Sequence, residues 1–297
     1  MENEEKRCGY VALLGRPNVG KSTLMNHVLR QKLAATSRKP QTTRHNLLGI
    51  DSAGASQALY IDTPGLHAPG GRALNQYMVG EAKAVIADVD VRVMLVEALK
   101  WTAEDEHVLN LLRGVRGTTL AVVSKVDLVK DKTKLLPFIQ KLHDMDVFTD
   151  IVPLSALKND GIEHFRELIS SLLPAGEHLY GEDEITDKPL RFLVAEIVRE
   201  KLMRQLGEEL PHATAVVVER YVETDSLVEI HADIYVERNG QKRIVIGSDG
   251  ERIKLLGQAA RKDIETLVDK RVMLNLWVKV KKGWSNNAGL LKRLGYD

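Results

Sequence analysis

The 297-residue chain has one cysteine, Cys8. A lone thiol has no internal partner, so a disulfide framework is excluded and a reducing compartment fits. The opening MENEEKRCGY is acidic and polar and lacks the apolar core of a secretion signal. No apolar run is long enough to cross a bilayer. Together these absences point to the cytosol. An excess of one charge is also missing: 42 Lys and Arg stand against 41 Asp and Glu, a formal net charge of +1. Neither a disordered polyelectrolyte nor a protein that seeks polyanions with its whole surface follows from that. There is no internal repeat and no low-complexity tract.

The even total hides an asymmetry. Through residue 187, 22 bases face 25 acids; from residue 188, 20 face 16; from Arg238 onward, 14 face 6. A solvated basic face and a polyanion-binding surface near the C-terminus both fit. With 44% hydrophobic residues, the chain can build one or two ordinary cores.

Short apolar, β-branched runs at 10–14, 58–61, 91–96, 119–123 and 151–154 predict strands. Helix-like stretches such as 21–29 and 104–112 lie between them. This alternation predicts an α/β domain: a mostly parallel sheet with helices on both faces, and ligands outside the carboxyl ends of the strands. The stretch LPAGEHLYGEDEITDK at 173–188 holds a proline, two glycines and an acidic cluster. It reads as a boundary, with one domain over 1–173, a linker over 174–188 and a smaller α+β domain over 189–297. In that second domain a helix is expected over 189–205, strands over 214–222, 227–238 and 243–246, a helix over 252–267 and a strand over 272–280.

GRPNVGKST at 15–23 carries the spacing G-x-x-x-x-G-K-[ST] between a predicted strand and a helix, the context that a phosphate-binding loop needs. Gly15 and Gly20 let the backbone wrap phosphate oxygens, with Asn18, Val19 and Thr23 in the same wrap. Lys21 brings a point charge to the outer phosphates, and Ser22 a hydroxyl to Mg²⁺. DTPG at 62–65 ends a predicted strand; Asp62 suits Mg²⁺ held through water, and the Gly65 N–H suits the terminal phosphate. SKVD at 124–127 resembles the N-K-x-D guanine motif of GTPases. Asp127 can accept from guanine N1–H and N2–H₂, a donor pair that adenine lacks, and the Lys125 stem can lie over the base. Ser124 replaces the usual Asn and is too short to reach as an amide does, a loss of about 0.5–1.5 kcal/mol. Ser155, Ala156 and Leu157 resemble the fifth GTPase motif, whose backbone N–H reads guanine O6.

The order of phosphate loop, QTTRH at 41–45, DTPGLH at 62–67 and SKVD, followed by the C-terminal module, resembles the Era family of ribosome-assembly GTPases over nearly the whole chain. The resemblance implies a Ras-like P-loop GTPase domain, GTP and GDP with Mg²⁺ as ligands, and hydrolysis of GTP. It implies that a Thr of QTTRH ligates Mg²⁺ in the GTP state; Thr43 is the first candidate and Thr42 the alternative. Leu66 occupies the place where Ras-like proteins carry the Gln that orients water. Intrinsic turnover should therefore be slow. Arg16 and Arg44 are candidate arginine fingers, and Asn18 resembles the phosphate-loop Asn of GTPases that use K⁺ in place of one.

IVIGSDGERIKLLG at 244–257 carries G-x-x-G and resembles the KH RNA-binding module that Era proteins have at this place. Candidate RNA contacts are Gly247, Ser248, Asp249 and Gly250 of the turn, with Ile244 and Ile246 lining a groove for unstacked bases. Asp249 and Glu251 work against a phosphate, and Lys242, Arg243, Arg252 and Lys254 compensate. Lys279, Lys281, Lys282 and Trp284 form a second basic cluster with an aromatic that could stack on RNA. The resemblance implies as partners the 3′ region of 16S ribosomal RNA and the small ribosomal subunit. It implies a monomer in the cytoplasm, with peripheral association at the inner membrane face left open. The alternative is a GTPase that acts through protein or membrane partners and binds no RNA.

Overall fold

The computed structural model describes residues 5–37, 39, 42–66, 73–206 and 214–293; Gln41 and His67 of the motifs above lie outside them. The chain divides into two compact units. The first takes residues 1–34, 43–70 and 78–187, the second 35–42, 71–77 and 188–297.

The first unit is built on β1 (Arg7–Leu14), β2 (Leu47–Ala53), β3 (Ser56–Asp62), β4 (Val91–Glu97), β5 (Thr118–Ser124) and β6 (Asp150–Pro153), in the sheet order β2-β3-β1-β4-β5-β6. Its helices are α1 (Lys21–Val28), α2 (Ala73–Asp88) from residue 78 onward, α3 (Ala103–Leu112), α4 (Leu135–His143) and α5 (Ile162–Leu172). The central strands read as unbroken apolar runs because both faces are covered; every residue of β4 is buried. Ala12, Leu14, Met94, Val96, Ala121 and Val123 pack against Ala82 and Ile86 of α2, Val108 and Leu109 of α3, and Leu142 of α4. Helices α1 and α5 pack on each other and on β3. All pairings are parallel except that of β2 with β3. The sequence reading missed β2, whose LLGIDSA is apolar over only half its length.

Residues 174–187, read above as linker, are pinned to this unit. Cys8 N–H donates to Pro174 O at 3.1 Å, Gly176 N–H to Lys6 O at 2.9 Å, and Ile50 N–H to Ile185 O at 2.9 Å. The buried Gln57 amide oxygen accepts from Leu179 and Tyr180 N–H at 2.8 and 3.0 Å, and its nitrogen donates to Tyr180 O at 2.9 Å. A side-chain amide thereby supplies the donor and acceptor that a neighbouring strand would.

The second unit contains α6 (Leu190–Gln205), β7 (Thr214–Glu223), β8 (Leu227–Val236), α7 (Asn239–Ile246), α8 (Glu251–Val268) and β9 (Arg271–Val280). β8 is central, antiparallel to β7 and parallel to β9. Val228, Ile230, Ala232 and Ile234 alternate inward against Val194, Val198 and Leu202 of α6 and Leu256, Ala260 and Ile264 of α8. The strand expected over 243–246 is instead the last turn of α7. A three-residue apolar run does not separate the two states. What decides is the start: Gln241 Oε1 accepts the Glu237 and Arg238 N–H groups at 2.8 and 2.9 Å, capping a helix.

Candidate nucleotide site and RNA groove

The phosphate loop joins β1 to α1, and the other motifs leave the carboxyl ends of β3, β5 and β6 at the same edge of the parallel strands. Gly15, at φ 144°, lies so close to β4 that a Cβ would stand 2.7 Å from Leu95 O. At Gly65 a Cβ would stand 2.8 Å from Pro17, so the DTPG turn and the phosphate loop approach to a distance only glycine permits. Asn18 takes the left-handed φ of 62°.

Ser22 Oγ donates to Asp62 Oδ2 at 2.6 Å and lies 2.8 Å from Thr43 Oγ1, which donates to the same Asp62 oxygen at 3.0 Å. Asp62 is fully buried, and its Oδ1 has no hydrogen-bond partner among the described residues. Burial raises its pKa, against the pull of Lys21, Ser22 and Thr43. Two hydroxyls and a carboxylate are hard oxygen donors, the set that Mg²⁺ takes. Thr42 points elsewhere: its hydroxyl donates to Lys39 O at 2.7 Å and meets Ser37 Oγ at 2.8 Å. Of the two threonines, Thr43 is the one at Asp62. The Lys21 ammonium donates to Gly15 O and Arg16 O at 3.0 and 3.1 Å. Burial lowers its pKa to about 8, with Asp62 opposing and Arg16 reinforcing the shift.

Ser124 has local partners that its short side chain did not advertise. Its hydroxyl is buried between Val19 O at 2.7 Å and Val96 O at 3.0 Å, tying β5 to the phosphate loop. Lys125, at φ 58°, donates to Asn18 O at 2.8 Å. Asp127 Oδ1 accepts from Ser155 Oγ at 2.5 Å, and Ser155 heads the turn Ala156–Lys158. The base loop and the fifth motif are thus joined side chain to side chain. Leu66 is fully buried in the core. Neither arginine is held ready for a phosphate: Arg16 is paired with Glu97 at 3.0 Å and Asp105 at 3.3 Å, and Arg44 is fully buried. Glu97 and Asp105 are the residues that sequence reasoning missed here; Glu97 is the acid that closes β4, and Asp105 lies in the first turn of α3.

In the second unit the G-x-x-G turn lies between α7 and α8, not after a strand. Gly247, at φ 77°, leaves only 2.7 Å between a Cβ and Arg252 Cβ. Ser248 follows it, Asp249 is left-handed at φ 49°, and Gly250 has φ 78°. Arg252 donates to Ile244 O at 2.6 Å and so caps the end of α7. Ile246 packs against the core, while Ile244 is exposed. Beside the turn an open groove of about 530 Å³ runs between α8, with Ile253, Lys254, Gly257 and Arg261, and β9, with Met273, Leu274 and Leu276. Lys281 lies 5.2 Å from the Tyr235 ring, Lys279 pairs with Asp233, and Lys282 is exposed. Trp284 cannot stack on RNA, because it is wholly buried. The exposed tryptophan is Trp277 on β9, against the His231 ring at 5.3 Å. Alternation along β9 sends Trp277 outward, a sign readable from the strand pattern.

Comparison with known proteins fits this geometry. A family described as 50S ribosome-binding GTPase matches residues 10–125, and the KH domain family matches residues 209–285. GTPase Era of Azotobacter vinelandii is 54% identical over 295 residues, spanning 99% of this chain and 98% of that protein. The chain belongs to the GTPase Era family. GTPase Era of Ectopseudomonas mendocina is 53% identical, over 98% of this chain and 97% of that one. A crystal structure of Era in complex with MgGDPNP and nucleotides 1506–1542 of 16S ribosomal RNA superposes with a TM-score of 0.94 at 37% identity, covering 98% of this chain and 99% of that one. A variant of Aquifex aeolicus Era bound to GDP and AlF4⁻ matches with the same score, identity and coverage. The chain is an Era-type GTPase with a KH domain.

Proposed function

We infer that this GTPase binds the 3′ region of 16S ribosomal RNA through its C-terminal module and uses GTP hydrolysis to time its part in small-subunit assembly. The observation that carries the reading is the meeting of Ser22, Thr43 and Asp62 at the phosphate loop, in a chain alike over its length to an Era bound to that RNA. We take residues 1–173 as the GTPase module and 189–297 as the RNA module, joined by 174–188.

Ser22 and Thr43 would hold Mg²⁺, and Asp62 would hold it through water; the ion would offset the charge of the β- and γ-phosphates. Lys21 and the backbone of residues 15–23 cradle the phosphates, and the Gly65 N–H meets the terminal one. Asp127, oriented by Ser155, accepts from the guanine edge; Lys125 covers the base, and the backbone of 155–157 meets O6. Asn18 takes the role of holding K⁺ near the phosphates in this reading, which the burial of Leu66 and the pairing of Arg16 support. Turnover in matched chloride salts should be faster with K⁺ than with Na⁺; equal rates would remove K⁺ from the mechanism. In the RNA module, unstacked bases enter the groove between α8 and β9, with Lys254 beside their phosphates.

Base choice tests the site. Asp127→Asn presents an amide that suits xanthine better than guanine. Competition binding should shift preference from GTP to XTP; retention of full GTP preference would exclude Asp127 as the base reader.

A further inference from the structure

Glu97 closes β4, in register with Ser124 of β5, and its side chain is only 12% exposed. Three cations converge on this one carboxylate. Arg16 of the phosphate loop reaches it at 3.0 Å, Lys125 of the base loop at 3.0 Å, and Lys100 from the loop after β4. Two of the three are held from their other side as well. Arg16 Nε lies 3.3 Å from Asp105, which is fully buried and forms the capping box of α3 with Thr102. Lys125 donates to the carbonyl of Asn18 in the phosphate loop. The chain of contacts therefore runs from the start of α3 through Arg16 and Glu97 to Lys125, and back to the phosphate loop. Burial alone would raise the Glu97 pKa. Hydrogen bonds from Lys100, Lys125 and Arg16 outweigh it and bring the pKa to about 2, so the group is ionised at any working pH.

We propose that Glu97 is a positioning residue for nucleotide retention, its carboxylate locking the phosphate loop to the guanine loop by bridging Arg16 and Lys125. The proposal rests on the reading of this site as the guanine-nucleotide site. Two effects compete when the carboxylate is lost. Arg16 and Lys125 lose the group that fixes their heads, so the loop over the base loosens. The field at the phosphates also turns more positive, which favours nucleotide. The first acts at contact distance and largely out of water, whereas the second acts across a cleft that solvent and salt screen. Loosening therefore wins, and it is felt in dissociation.

The experiment is release of fluorescent GDP into excess unlabelled GDP, with Mg²⁺, on the full chain. Glu97→Gln should release GDP about tenfold faster, as expected for the loss of one charge-assisted hydrogen bond. The melting temperature of the nucleotide-free protein should stay within a few degrees of wild type. Glu97→Asp keeps the charge on a shorter arm and should lie between the two. Adding Arg16→Gln to Glu97→Gln should cost little more than Glu97→Gln alone, because both act through one bridge. Unchanged or slower release from Glu97→Gln overturns the proposal, as does faster release matched by a large loss of melting temperature that Glu97→Asp fails to restore. If wild type itself does not bind GDP, the reading of the site fails, and the proposal with it.

Discussion

Lys21 carries an ammonium inside the protein with two carbonyls and, among the described residues, no carboxylate in hydrogen-bond contact. Its pKa of about 8 against an ordinary 10.5 gives two pH effects of opposite sign. Between those values the unfolded chain holds a proton that the folded chain has lost, so the stability of the nucleotide-free protein rises as pH increases through that window. Nucleotide phosphates raise the Lys21 pKa, so binding takes up a proton above about pH 8. Affinity for GDP should be at full strength below that pH and fall above it, by up to about tenfold per pH unit. Titration of labelled GDP binding from about pH 7 to 9 checks this; a flat profile would mean that Lys21 stays charged without nucleotide. At this scale the sequence is legible wherever neighbours in the chain do the work. Gly15, Lys21 and Ser22 are named by a short motif that sets backbone and chemistry together, and Thr43, with Thr42 as its alternative, by the family resemblance. Glu97 carried no motif, and neither its partner Arg16 nor the Val19 carbonyl that Ser124 meets could be read, because those partners lie 81 and 105 positions away.

At the level of elements, the proposed RNA path runs past α7 and the turn after it. The turn needs a left-handed residue at position 249, and Asp, like Asn, tolerates that conformation. Its carboxylate nevertheless faces any phosphate that passes between Gly247 and Gly250. For an exposed pair such repulsion is worth about 0.5–1 kcal/mol after screening. Asp249→Asn removes the charge and keeps the backbone, and should tighten a short single-stranded RNA about two- to fivefold. Asp249→Lys should also steepen the salt dependence by about one phosphate. Anisotropy over a salt series at fixed occupancy by a GTP analogue measures both. If neither variant changes affinity or slope, RNA does not pass this turn. The stretches 21–29 and 119–123 read correctly, as α1 and β5, because the first is long enough for a helix after its phosphate loop and the second is a short β-branched run; RIVI at 243–246 did not, because three apolar residues after an arginine fit a helix turn and a strand equally and the cap lies upstream at Gln241. Trp284 misled for a related reason: an aromatic beside lysines signals a surface only if its own position is outward, and this one packs inside.

For the whole molecule, the succession of an α/β module and an α+β module was legible from the alternation of runs, although β2 and α7 were not. The strap over 174–187 was not, since its polar composition hides the Gln57 amide that pins it. Among the described residues no helix is long and apolar enough to cross a membrane. The rival reading, a GTPase that works through protein or membrane partners alone, makes the opposite claim about RNA. Ultraviolet crosslinking of the chain in growing cells, followed by sequencing of the attached RNA, separates the two. The expected result is a concentration of reads in the 3′ region of 16S ribosomal RNA, reduced when Lys254 and Arg261 of the groove are replaced by Glu. Reads spread over ribosomal and messenger RNA in proportion to abundance, and unmoved by those substitutions, would contradict it.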